Sequence, residues 1–323
     1  MTPPRLSRTL FLVLGALLVA LASHASAQVG GLPGAYSRMG FGARGAGMGN
    51  AMTAVTTGDI SSYYNPALLP SVEYRVANAT FGVLSLDRRL NFLGYTQHLP
   101  PEAGISFGII NSGVTNIDGR DFDGVPTGPM QTSENLVFLG FGNRFKGGLS
   151  FGINVKFLYY NLYTSMTSTT VGIDLGLLYP LSNQVTVGGT VRDIGSKYKW
   201  DSSPVYGSLQ GVSVDDMFPR LYTVGASYRL PDSAGIVSCD IEFSSEKTVI
   251  ARLGVEAPII PEFTLRAGID RIDLKDKGNG IRPSVGLTIR PPIQMLETEF
   301  HYAYVFEPFA PAGMHLISLA AIF

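Results

Sequence analysis

The chain has one cysteine, Cys239, among 323 residues, so no disulfide can form within it. It is also poor in charge. Asp, Glu, Lys and Arg make up 15% of the residues, against about 25% in typical soluble domains. Basic residues are not in excess, at 24 Lys and Arg against 25 Asp and Glu, which excludes a strongly basic nucleic-acid-binding protein. Long hydrophobic runs are missing as well. The longest, residues 10–22, is too short to cross a bilayer as a helix, and nothing after it approaches the roughly 18 apolar residues a crossing needs. Yet the mean hydropathy is positive, at +0.19. Low charge and positive hydropathy without an apolar helix point to apolar residues placed at alternate positions.

The start of the chain reads as a leader. Arg5 and Arg8 form a positive stretch, residues 10–22 an apolar one, and Ala25-Ser26-Ala27 a small-residue cleavage site. Residues 1–27 are therefore expected to be removed, leaving a mature chain from Gln28 with 22 basic and 25 acidic residues. Residues 28–72 show neither strand alternation nor a long helical stripe, and they are rich in Gly and Ala. They read as a compact, partly helical segment preceding a β-domain over 73–323.

That β-domain is a series of fourteen short alternating segments. They are expected at 75–84, 90–99, 103–114, 134–145, 147–162, 168–181, 184–195, 220–230, 235–245, 250–259, 263–272, 281–292, 297–308 and 313–323. The period of two is clearest where Leu149, Phe151, Ile153, Val155 and Phe157 share one face and Ser150, Gly152, Asn154 and Lys156 the other. The first two segments are ambiguous and leave their faces open. The second face elsewhere is Gly, Ser, Thr and isolated charge, which suits a narrow lumen better than a solvated surface. The longer gaps, 115–133, 196–219 and 273–280, follow odd-numbered segments, while tight turns such as Ser182-Asn183 and Pro231-Asp232 follow even ones. This is how an all-β transmembrane antiparallel barrel is written, with tight periplasmic turns and long extracellular loops. Tyr159, Tyr179, Tyr222 and Tyr228 fall near segment ends, where an aromatic girdle would sit. The final aromatic residue, Phe323, falls at the periplasmic rim.

Parity turns a set of charges into the lumen: Lys156, Arg192, Arg229, Arg252, Arg266 and Arg290 with Asp174, Asp240, Glu242, Glu256, Asp270 and Glu299. The signs balance, and unpaired charge in a narrow lumen is costly, so cross-strand pairing is expected.

Residues 42–55 (GARGAGMGNAMTAV), followed by Asp59 and residues 62–67 (SYYNPA), resemble the PorV/PorQ branch of the long-chain fatty acid transporter (FadL-like) outer-membrane barrels. Gly45, Gly47, Met48 and Gly49 carry the Gly/Ala part of the pattern, and Asn65, Pro66 and Ala67 the Asn-Pro-Ala box. The resemblance implies a fourteen-stranded barrel with residues 28–72 as a lumenal hatch. It also implies a role as an accessory of protein secretion of the type IX kind, or, in the FadL branch, passage of hydrophobic molecules. It further implies that Phe323 is part of the signal read by the barrel-assembly machinery. On the residues alone, Gly permits close packing in a narrow lumen, and Pro66 forces Asn65 out of the α region. A plain turn after a short Ala-rich helix reads the same residues without any family.

Chemistry motifs find no context. Residues 40–45 match G-x-G-x-x-G, but no strand–helix–strand unit surrounds them. Residues 148–152 match G-x-S-x-G, but Ser150 lies within an alternating strand rather than at a strand-to-helix elbow. His98, His301 and His315 lack metal spacing. His301 and Glu299 share a face, and a hydrogen-bonded lumenal histidine is favoured over an acid–base pair. Residues 118–124 are acidic but lack the calcium-loop spacing, so a turn-rich surface loop is expected. The chain is thus expected to be non-enzymatic and without cofactor or metal. It would contact outer-membrane lipid, surface or secretion proteins through loops 115–133 and 196–219, and a hydrophobic ligand.

Overall fold

The structure is a computed structural model that describes residues 31–59, 62–163, 166–275, 280–292 and 297–323. The leader expected over 1–27, with cleavage expected after Ala27, lies outside the described residues. Among the described residues eighteen strands occur in chain order. They begin with β1 (Val76–Val83), β2 (Arg88–Leu99), β3 (Ala103–Val114), β4 (Ile117–Arg120), β5 (Pro126–Met130) and β6 (Ser133–Arg144). The middle set is β7 (Ser150–Tyr163), β8 (Met166–Pro180), β9 (Val185–Ile194), β10 (Lys197–Asp201), β11 (Ser213–Met217) and β12 (Leu221–Arg229). The last are β13 (Ile236–Ser244), β14 (Val249–Ile260), β15 (Phe263–Asp273), β16 (Arg282–Ile289), β17 (Glu297–Val305) and β18 (Met314–Ile322).

Fourteen of these form one closed antiparallel barrel, and each matches one of the expected segments within a few residues. Closure joins β1 to β18, from Val76 opposite Ile322 to Val83 opposite His315. Closing the sheet removes the unpaired edges an open one would expose. The two remaining pairs, β4–β5 and β10–β11, are hairpins inside the two longest loops. Expected as loops, these segments fold because their backbone groups find partners locally. The Asp121 carboxylate, for example, accepts from the amides of Asp123 and Val125 at 3.0 and 2.8 Å and closes the first turn.

The outward face is apolar. Phe81, Val83, Leu93, Phe157, Leu177 and Val224 are all exposed, and Val224 keeps 62% of its surface. A largely apolar exterior on a closed barrel suits hydrocarbon and not water. The four girdle tyrosines point outward too, Tyr159 and Tyr222 toward the long-loop end and Tyr179 and Tyr228 toward the short-turn end. The unassigned faces of β1 and β2 are now clear. Phe81, Val83 and Leu93 point out and Leu90 and Phe92 point in, so β2 carries large apolar residues on both faces and its pattern is ambiguous in the sequence.

Residues 35–59 and 62–72 fill the lumen. A 3-10 turn (Ala35–Arg38), a short helix (Ala43–Gly47) and a second 3-10 turn (Pro66–Ser71) are buried against the inner wall. The wall makes room by omitting side chains. A Cβ on Gly152 would overlap Pro66 and Ala67 backbone, one on Gly254 the Met48 carbonyl, and one on Gly268 the Gly49 amide. The abundance of glycine is therefore the imprint of a backbone laid against a wall.

Candidate functional site

The N-terminal segment is fixed to the barrel by side chains at several heights. Pro66 holds Asn65 extended (φ −160, ψ 115), and the Asn65 side chain caps the following turn by accepting from the Ala67 amide at 2.9 Å. Its amide group donates to the Thr53 carbonyl at 2.8 Å and to Leu177 of β8 at 3.1 Å. Asn154 of β7 donates to the Ser62 carbonyl at 2.7 Å, and Ser227 of β12 to the Ala54 carbonyl at 2.7 Å. Asn78 of β1 donates to the Asp59 carboxylate at 2.9 Å.

The strongest tie was missed in the sequence. Arg44, read there only as part of a Gly/Ala run, is buried in the short helix and meets Glu256 of β14 with both prongs of its guanidinium. Nε and Nη2 lie 2.8 and 2.9 Å from the two carboxylate oxygens. A third nitrogen donates to the Thr57 carbonyl at 2.5 Å. Burial alone would depress the Arg44 guanidinium, but Glu256 more than offsets it and holds it above its ordinary range. Burial pushes the Asp59 carboxyl up, against the opposing pull of Arg44 and the Asn78 bond.

The lumenal charges are gathered on one sector of the wall, β7 to β17. Lys156 bridges Asp174 at 2.6 Å and Asp193 at 2.5 Å. Arg252 bridges Glu242 at 3.0 Å and Asp270 at 2.7 Å. Arg266 shares Glu256 with Arg44 at 2.5 Å, and Arg290 meets Glu299 at 2.5 Å. Arg282, absent from the sequence reading, joins Asp270 at 3.4 Å and also Glu307.

Three members depart from the expected pairing. Asp240 stands opposite Arg252 in register but bonds to the hatch instead, accepting from Thr53 N and Oγ1 at 3.1 and 2.7 Å. Arg192 has no ion pair among the described residues. It lies 4.5 Å from the centre of the Tyr63 ring and donates to the Ser37 carbonyl at 3.0 Å. Arg229 is not part of the network. It sits exposed at the short-turn rim, with a 3.5 Å contact to Thr56 Oγ1.

Two β-bulges explain the charges that parity missed. Between Ile173–Ile194 and Leu175–Val191, one residue of β8 faces two of β9, so Arg192 and Asp193 both turn inward. Asp193 takes a positive φ of 62 there. The same irregularity between β14 and β15 sets Asp270 and Arg271 opposite Arg252, with Arg271 at φ 59.

The other sector, β17-β18-β1-β2-β3-β6, is apolar toward the long-loop end. Phe92, Ile110, Leu136, Phe138 and Leu316 line it and are almost wholly buried. Hatch rings cover this track. Phe41 stacks on Phe92 at 5.8 Å between centres and meets Tyr63 edge-on at 4.2 Å, and Phe92 continues to Phe138 at 6.3 Å. Over the mouth, Tyr198 and Trp200 of the β10–β11 hairpin pack on Tyr160 at 5.0 and 5.2 Å.

No reaction centre emerges from the expected catalytic candidates. His301 is fully buried, with Nδ1 2.6 Å from Thr288 Oγ1 and Nε2 3.3 Å from Glu299 without hydrogen-bond geometry. Among the described residues no three His, Cys, Asp or Glu side chains are placed to hold a metal.

A closed fourteen-stranded barrel with its N-terminal segment inside is similar to several solved structures. The Pseudomonas putida toluene transporter TodX aligns at a TM-score of 0.60 and 14% identity, covering 88% of this chain and 96% of that one. The CymD monoaromatic hydrocarbon channel aligns at 0.63 and 14%, covering 88% and 98%. A Pseudomonas aeruginosa FadL homologue aligns at 0.56 and 12%, covering 86% and 97%. At this identity the likeness is one of fold: the chain shares the closed barrel of these structures, one of them a FadL homologue. The likeness reaches the barrel type and not the PorV/PorQ branch within it. No protein-family model matches the chain, nor does any curated protein.

Proposed function

We propose that this chain is a non-enzymatic barrel of the bacterial outer membrane that lets small hydrophobic molecules pass. The observation that carries the reading is the apolar track from Leu316 through Phe92 to Phe138, because a porin-like lumen is polar and water-filled. The hatch rings Phe41 and Tyr63 occupy that track, so a cargo replaces one set of apolar contacts with another. That the similar structures include a toluene transporter and a monoaromatic hydrocarbon channel supports this over a secretion role. In this reading the short turns and Phe323 face the periplasm and the two loop hairpins face outward.

Uptake of radiolabelled toluene by cells with and without the protein tests the proposal. The protein should accelerate uptake, and Ile110→Asn, which places an amide in the track, should slow it. Equal uptake with and without folded protein overturns the reading.

A second reading rests on the loop tips. Phe122 and Leu209 stand fully in solvent, at 104% and 99% exposure, in the two segments expected to meet protein partners. Their replacement by Ser should abolish co-purification of a surface or secretion protein if that reading holds.

A further inference from the structure

The largely apolar outer wall carries a polar patch at the long-loop end of β2, β3 and β6. Arg89, Asn91, Asn111, Ser133 and Asn135 turn toward the membrane there. Register fixes their facing. Arg89 stands opposite Val83 and Asn91 opposite Phe81, both exposed on the outside, while Leu90 between them is buried in the lumen. Asn91, Asn111 and Asn135 are directly opposite one another across the three strands, and Asn135 is opposite Tyr159 of the girdle. The patch therefore lies at headgroup height. Other strands differ at this end, where Tyr222 on β12, Phe243 on β13 and Tyr304 on β17 face outward.

Within the patch most of the amides are tied together and the guanidinium is not. Asn111 donates to Asn135 Oδ1 at 2.7 Å and to Ser133 Oγ at 3.2 Å, and Asn135 donates to Ser133 Oγ at 3.1 Å. Arg89 has Val83 on one side and Gly113 on the other, and neither can take up its charge. Its side chain makes no hydrogen bond or ion pair among the described residues. The nearby acids do not answer it. Asp87 stands exposed in the preceding turn, and Glu134 turns into the lumen toward the Tyr198 hydroxyl. An outward arginine is tolerated at the height of the headgroups, where a phosphate can pair with it through two parallel bonds. The amide row beside it supplies donors and acceptors for hydroxyls. We propose that this patch holds the phosphorylated sugar headgroup of an outer-leaflet lipid. The phosphate lies on Arg89 and the sugar hydroxyls on Asn91, Asn111 and Asn135. The inference rests on the outer-membrane placement and not on what crosses the lumen.

Lipid A, a phosphorylated disaccharide lipid, is a suitable probe, and native mass spectrometry of the full chain folded in detergent reads the copies retained. One copy should bind, and removing its phosphates enzymatically should weaken it at least tenfold. Arg89→Gln should weaken intact lipid A by a similar factor and Asn111→Leu severalfold. Arg220→Gln, which alters an exposed arginine just before β12, should leave binding unchanged. A hundredfold excess of inorganic phosphate should not displace the lipid. The shift in gel migration on boiling verifies that each variant folds. The assay reads binding and not transport, so its outcome is separate from that of toluene uptake. Undiminished binding to folded Arg89→Gln, an equal loss in Arg220→Gln, retention that ignores the phosphates, or displacement by inorganic phosphate each overturns the proposal.

Discussion

Arg44 is the pin of the hatch, and removing it should free the hatch without opening the barrel. The side chain is 4% exposed, its partner Glu256 12%, and the contact is bidentate. Deleting one partner of a buried ion pair costs about 3–5 kcal/mol, because the other is left buried and uncompensated. Here Arg266 stays beside Glu256 at 2.5 Å, so the lower end applies, about 3 kcal/mol. The fourteen-strand ladder does not pass through Arg44, so the loss falls on docking of residues 35–72. At about 1.4 kcal/mol per tenfold, the undocked population of Arg44→Ala rises roughly 100-fold. Amide hydrogen exchange at Ala46 and Met48, which sit in and just after the short helix, should accelerate by that factor while amides of β7 and β8 stay unchanged. Single-channel openings in planar bilayers should become more frequent in parallel. Arg44→Lys, which keeps the charge and loses the fork, should fall between. If folded Arg44→Ala shows native exchange at Ala46 and Met48, Arg44 is not what holds the hatch.

Cys239 faces outward between Val237 and Ile241, while its neighbours Asp240 and Ser238 are buried. It should therefore resist a membrane-impermeant maleimide in intact membranes, and rapid labelling would reverse the facing of β13. Phe323 ends the ladder by exchanging backbone bonds with Arg75 at 2.9 and 3.1 Å, and its ring lies 6.4 Å from Tyr95. Phe323→Ala should lower the yield of folded barrel without altering transport per folded molecule. Normal yield would remove the residue from the assembly signal.

The barrel was legible because period two is a property of the chain itself: a strand wet or lipid-bound on one face and lumenal on the other writes its alternation directly. What parity could not show are the places where parity breaks. Strict alternation would turn Asp193 and Arg271 toward lipid, where charge is costly, and the adjacent pairs Arg192-Asp193 and Asp270-Arg271 were thus a readable sign of bulges. The loop hairpins were hidden because their strands are only four or five residues long and Gly, Pro, Asp and Ser interrupt those segments. Arg44 was hidden by its company, since a lone arginine among glycines shows nothing of the carboxylate 212 residues away that it meets. Asp240 shows a further limit, for register places Arg252 opposite it, yet the hatch amide of Thr53 takes the carboxylate.

The wall glycines set how this protein can be re-engineered. Where a side chain meets a glycine, as Phe138 meets Gly108, a larger residue on one side can be answered by a smaller one on the other. Where a glycine meets main chain, as Gly152 meets Pro66 or Gly268 meets Gly49, there is no smaller partner to choose, because every residue brings the same backbone. Such positions have no compensating mutation. A wider bore is therefore reached by shortening the inner segment, and no repainting of the wall can substitute for that cut.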